Sequence, residues 1–227
     1  MRKIFILLFF GSIANFAFSQ IKLGVKASPQ FTWTSSDSKS ITTADSRVNI
    51  SYGLVLDYFF SENYSIGTEF SIGTFGGSIK PDSIRLGKNG SDSKDMKLDY
   101  KFQYINVPLI LKMRTKEIGY TRFYAEVGLG MSYNFKAKAD ISSSTANLTN
   151  VDVNNPDPKD ELNLHPSINV NFFRVSMIIG AGIQYNAFGN TMLVAGIRYD
   201  NAMNDFTADP SWKSRMNFVA LNLGVMF

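Results

Sequence analysis

Apolar residues recur at every second position in eight separate segments, and that rhythm restricts the chain to β-structure with two unlike faces. In the first segment Ile21, Leu23, Val25, Ala27, Phe31 and Trp33 alternate with Lys22, Gly24, Lys26, Ser28, Gln30 and Thr32. The same pattern runs through residues 48–58, 64–72, 96–111, 123–135, 175–185, 193–199 and 219–227. In the fourth segment the phase changes, from Met96, Leu98, Tyr100, Phe102 and Tyr104 to Ile105, Val107, Leu109 and Leu111. One extra residue would produce such a change, so a β-bulge is expected near Ile105-Asn106, beside Pro108.

Connections between the segments alternate in length. Residues 59–63, 114–119 and 186–190 are short, whereas 34–46, 77–95, 137–166 and 201–213 are long and polar. Short turns on one rim and long loops on the other are the pattern of an outer-membrane barrel. Most segments reach the roughly 9–11 residues that a tilted membrane strand needs. The expected fold is therefore all-β: an eight-stranded antiparallel up-and-down transmembrane barrel. It has four long extracellular loops and three short periplasmic turns, with both termini on the periplasmic rim. Mean hydropathy is only −0.06, as expected when apolar surface is hidden in alternation.

Residues 1–19 have the grammar of an export signal. Arg2 and Lys3 precede the apolar run 4–10, and Ala17-Phe18-Ser19 sets small residues before a cut ahead of Gln20. The barrel would then occupy residues 20–227. Losing Arg2 and Lys3 lowers the net charge from +4 to +2, so the basic balance is no argument for nucleic acid. The absence of cysteine excludes thiol catalysis and cysteine metal sites, and the single histidine, His165, leaves little scope for histidine metal clusters. No cofactor is expected.

Glycine decides which face is inside. Ten of the seventeen glycines lie in strands: Gly24, Gly53, Gly67, Gly73, Gly128, Gly130, Gly180, Gly182, Gly196 and Gly224. All of them fall on the polar face. A water-facing strand gains nothing from glycine, but the narrow interior of eight strands needs small residues beside large ones. The polar face is thus expected inside and the apolar face against lipid. Aromatics fit two interfacial girdles. Tyr58, Tyr64, Phe123, Tyr185 and Phe227 are expected at the short-turn rim; Phe31, Trp33, Tyr100, Phe102, Tyr133, Phe135 and Tyr199 at the other.

The signal ending in Ser19-Gln20, the opening IKLGVKASPQF, the stretch FQYINVPLILK at 102–112, GAGIQY at 180–185 and the ending LNLGVMF resemble the PorT-like outer membrane beta-barrel family of Bacteroidetes, barrels of the eight-stranded, OmpA-like kind. The resemblance spans the mature chain and implies a barrel rather than a particular activity. Terminal Phe227 resembles the signal read by the outer-membrane assembly machinery. The family's PorT branch suggests an accessory role in a type IX-like secretion apparatus.

The inward charges expected from the alternation are Lys26, Asp57, Glu69, Arg122, Glu126, Arg174 and Arg198. Buried ions require partners, so these residues are expected to form a salt-bridge plug, structural or gating. Eight strands enclose little free lumen. The chain is read as a structural or surface-interaction barrel, monomeric and not an enzyme, with a narrow gated channel or small-solute transporter as the alternative. His165 with Ser132 lacks an orienting carboxylate for hydrolysis. Asp152, Asp157, Asp160 and Glu161 have no EF-hand spacing. Lys80, Arg85, Lys88 and Lys94 mix with aspartates, and such basic loop tips could touch lipopolysaccharide. Outer-membrane lipid and lipopolysaccharide are the expected partners.

Overall fold

The alternating segments become eight long antiparallel strands, each hydrogen-bonded to its sequence neighbours. A computed structural model describes residues 20–36, 41–43, 45–81, 84–85, 92–93, 97–142, 147–152, 170–207 and 213–227. The strands are β1 (Ile21–Ser36), β2 (Arg47–Ser61), β3 (Tyr64–Pro81), β4 (Lys97–Asn106, resuming as Leu109–Arg114), β5 (Thr121–Ser142), β6 (Phe173–Phe188), β7 (Thr191–Ala202) and β8 (Ser214–Met226). β8 pairs back onto β1 from Gly24↔Met226 to Ser36↔Ser214, and that seam closes the ring. Closure removes both sheet edges. Short Ile41–Thr43 and Asn147–Asp152 extend the sheet against the far ends of β3 and β5.

Turn chemistry is plain at the short rim. Gly119 and Gly189 take φ of 67° and 56°, the left-handed region that glycine enters without a Cβ clash. They let β4–β5 and β6–β7 reverse within a few residues.

The lower part of the barrel, toward these turns, is apolar outside and polar inside. Leu54 and Ile197 leave 59% and 62% of their surface uncovered, in a band with Leu23, Phe70, Leu129 and Leu221. A continuous apolar belt of this kind is intolerable in water and suits hydrocarbon. Inside lie Ser28, Gln30, Ser51, Asp57, Glu69, Ser71, Glu126 and Arg198, all buried.

The upper part is built the other way round. Phe75, Ile79, Leu98, Tyr100, Phe102, Tyr104, Ala137, Ala139, Ile141, Phe206, Met216 and Phe218 form a buried core within the ring. The outer wall at this height carries ion pairs. Arg47 pairs with Asp99, Ser78 Oγ donates to Asp99 at 2.8 Å, Lys97 meets Asp45 at 2.5 Å, and Lys101 meets Asp140 at 2.6 Å. The barrel therefore continues past its apolar belt as a small water-facing barrel.

Two sequence expectations are corrected here. Tyr100 and Phe102 do not join an outward girdle; both are buried, stacked 5.5 Å apart. The phase change near Ile105-Asn106 is not a bulge in β4 either. Along β4 the even positions face inward throughout, from Leu98 to Lys112. What changes is the surroundings: inside is aromatic above and ionic below. The bulge is on β5. Gln103 pairs with Lys136 and Tyr104 with Asn134, which leaves Phe135 as the extra residue. Asn134 Oδ1 accepts the Lys136 amide at 3.0 Å and supports the distortion. β5 also runs on to Ser142, and β3 to Pro81, through stretches expected to be loop.

Candidate functional site: the ionic interior

Four strands each contribute one charged side chain to a single layer: Lys26 from β1, Glu69 from β3, Glu126 from β5 and Arg198 from β7. Inward residues of alternate strands share a level in a tilted barrel. Arg198 is the hub. Its Nη1 and Nη2 donate to Glu69 Oε2 and Oε1, both at 2.9 Å. Its Nε and Nη2 donate to Glu126 Oε1 and Oε2 at 2.7 and 3.2 Å. Lys26 Nζ completes Glu69 at 2.5 Å. The planar guanidinium fork holds two carboxylates at once, which a lysine ammonium cannot copy.

Glycines flank this layer for a reason that the registers show. Lys26 lies between Gly53 and Gly224 on the neighbouring strands. Gly180 lies between Glu126 and Arg198. A Cβ on Gly180 would sit 2.7 Å from Glu126 Oε1, so any side chain there displaces the carboxylate. Large ions on the odd strands and the glycines of β2, β6 and β8 share one narrow cross-section.

Two further pairs stand on either side of the layer. Toward the short turns, Lys112 Nζ donates to both Asp57 oxygens at 2.8 and 2.9 Å. Toward the long loops, Arg174 pairs with Asp200, donates to the Met216 carbonyl through Nη2 at 2.9 Å, and lies 5.3 Å over the Phe218 ring. The three tiers hold four cations and four anions, so the interior is electrically balanced.

Above Arg174 the aromatic core closes the ring. Phe206 comes in from the segment after β7 and packs 5.6 Å from both Tyr100 and Phe102. Asn171 pins that segment, donating through Nδ2 to the Asp205 and Thr207 carbonyls at 2.9 and 3.1 Å. On the short-turn side of the layer, Val55, Met192 and Met226 form a small apolar cluster. Among the described residues, cavities of about 30 Å³ each flank the Lys26–Glu69–Arg198 layer, one above and one below. Each has room for one or two waters.

Of the seven charges expected inside, Lys26, Glu69, Glu126 and Arg198 meet in one cluster, while Asp57 and Arg174 belong to the flanking tiers. Arg122 is the exception. It stands at the short-turn rim, partly exposed, and pairs with Glu117 at 2.7 Å, because β5 has barely entered the barrel there. The expected set lacked Lys112 and Asp200. Both have the inward parity of their strands, so the alternation contained them. Ser132 faces inward and is buried. His165, Asp157, Asp160, Glu161, Lys88 and Lys94 lie outside the described residues, as does the expected signal at 1–19.

The outer membrane protein beta-barrel domain family matches residues 14–208. No curated protein matches the chain. Among solved structures, Neisserial surface protein A is similar at 13% identity, with 90% of this chain and 95% of that one covered and a TM-score of 0.48. OprG from Pseudomonas aeruginosa is similar at 11% identity, with 90% and 94% covered and a TM-score of 0.48. Ail, the attachment invasion locus protein of Yersinia pestis, is similar at 16% identity, with 91% and 98% covered and a TM-score of 0.41.

Proposed function

Because the chain belongs to the outer membrane protein beta-barrel domain family, we propose that it serves as a sealed outer-membrane barrel whose activity lies on its surface and long loops rather than through its lumen. The observation that carries this is the interrupted interior: three ion-pair tiers and an aromatic closure, with cavities of only about 30 Å³ between them. Opening a route means separating Arg198 from Glu69 and Glu126 inside a low-dielectric interior, where breaking a buried pair is strongly unfavourable. In this reading residues 1–19 direct export, Phe227 is offered to the assembly machinery, and both termini are periplasmic.

Planar-bilayer recording tests it. The expected trace has no steady conductance. A stable porin-sized current, or solute uptake into liposomes carrying the barrel, would replace this reading with a conduit. Co-purification with secretion components from membranes would replace it with an accessory role in an export apparatus.

A further inference from the structure

The β5 bulge has a consequence on the outer wall. It sets two consecutive side chains, Phe135 and Lys136, outside the ring, both exposed. Phe135 is the last outward apolar residue of β5, and Lys136 is the first charge above the belt. Lys138 follows on the same face, directly opposite Lys101 of β4. Like charges facing each other on one sheet surface destabilise it. Asp140 answers Lys101 at 2.6 Å. Lys136 and Lys138 form no ion pair among the described residues, although Asp152 is the backbone neighbour of Lys138.

Immediately beneath is an aromatic shelf. Tyr133 stacks on Phe172 at 6.3 Å and meets Phe173 at 5.2 Å, and all three are exposed on the outer wall. Cations one residue above an aromatic belt stand at the height of lipid headgroup phosphates. Two positions along a strand span about 7 Å and one strand spacing about 4.8 Å, so the three ammonium groups can converge on one phosphate.

We propose that Lys101, Lys136 and Lys138 bind the phosphate of a phosphorylated glycolipid of the outer leaflet, of the lipid A kind, with its sugar and first acyl carbons on the Tyr133–Phe172–Phe173 shelf. The inference rests on the outer-membrane reading and deepens it. A sugar-bearing head uses both the cations and the flat ring faces, whereas a phospholipid head uses the cations alone. The anion relieves the Lys101–Lys138 repulsion that the bare surface retains.

Native mass spectrometry of the full barrel in micelles tests this with three probes: diphosphoryl lipid A, its dephosphorylated form and phosphatidylglycerol. The phosphorylated glycolipid is expected to bind tightest. Lys136→Ala with Lys138→Ala is expected to weaken it roughly 30-fold, at about fivefold per lysine near an anionic head. Lys116→Ala, exposed on the opposite, short-turn rim, leaves it unchanged. Heat-dependent gel mobility verifies that the double variant is folded. Equal affinity for phosphatidylglycerol, or for dephosphorylated lipid A, overturns the glycolipid assignment; an unaffected double variant overturns the site. Conductance is independent of both lysines, so failure here is distinct from failure of the sealed-barrel reading.

Discussion

β4 and β5 lie side by side and cross the same boundary, yet they do so by different means. Below it both are apolar outside; above it both are apolar inside. β4 keeps its backbone parity and changes its sequence rhythm, from Leu109 and Ile105 outward to Tyr104, Phe102 and Tyr100 inward. β5 keeps its sequence rhythm and changes its parity, because the bulge at Phe135 turns the odd positions Ala137, Ala139 and Ile141 inward. The two solutions are equivalent for the environment and opposite for the sequence. Alternation reads environment only where the backbone is regular, and a bulge can hide an inversion that the sequence does not display.

Deletions break this comparison most sharply. Removing Ile105 from β4 would turn Leu98, Tyr100, Phe102 and Tyr104 outward and drive Lys97, Asp99 and Lys101 into the core. The expected result is loss of the upper barrel, seen as proteolysis of residues 97–104 and failure to reach the compact gel form. Removing Phe135 from β5 simply restores regular alternation, since Lys136 stays outside and Ala137 stays inside. A collapsed Phe135 deletion would sink the account of the bulge.

Within the lower half, Arg198→Ala leaves Glu69 and Glu126 buried without their main partner. A loss of roughly 3–5 kcal/mol is expected in urea unfolding from lipid vesicles, the range for breaking a buried ion pair. In the upper half, Phe102→Ala opens a cavity in a packed core, with an expected loss of about 3 kcal/mol. Its counterpart Phe70→Ala, on the lipid face, is expected to lose less, about 2 kcal/mol, because acyl chains fill the gap and only the transfer term is lost. Equal losses at Phe102 and Phe70 would mean that the two halves do not differ as described.

The smallest effect concerns the outer wall. Lys97 hydrogen-bonds Asp45 and holds its carboxyl below the usual value of 3.8. A depressed carboxyl stabilises the fold above the unfolded value, and that contribution fades as pH falls through the folded one. Asp45→Asn should therefore lower stability slightly at neutral pH and not at all in strong acid, with high salt erasing the difference. A difference that persists in acid would implicate something other than the ion pair.

Much of the barrel was legible because the membrane enforces the alternation. Gly53, Gly180 and Gly224 pointed to the inner face for the right reason: each has an inward ion as its cross-strand neighbour. Tyr100 and Phe102 were misread because their rhythm is identical to that of a lipid-facing pair, and only the far wall of the ring, with Phe206 and Phe218, shows that they are enclosed. Strand ends at Pro81 and Ser142 were hidden for a related reason. The polar residues there, Lys80 and Lys138, read as loop although they form the outer wall of a water-facing sheet. The pairing of Arg198 with both Glu69 and Glu126 depends on strand stagger, which single-strand periodicity does not contain.

The Arg198 layer also bears on how the ring is made. Its four members come from β1, β3, β5 and β7, so no hairpin contains a complete set. Lys26 meets Glu69, and Arg198 meets Glu126, between strands two apart in the sheet. Arg198 reaches Glu69 from β7 to β3, opposite sides of the ring, so that contact accompanies the seating of β8 on β1. The layer therefore ties closure of the ring to the pairing of its ions: the same guanidinium that holds Glu126 also spans the lumen to Glu69.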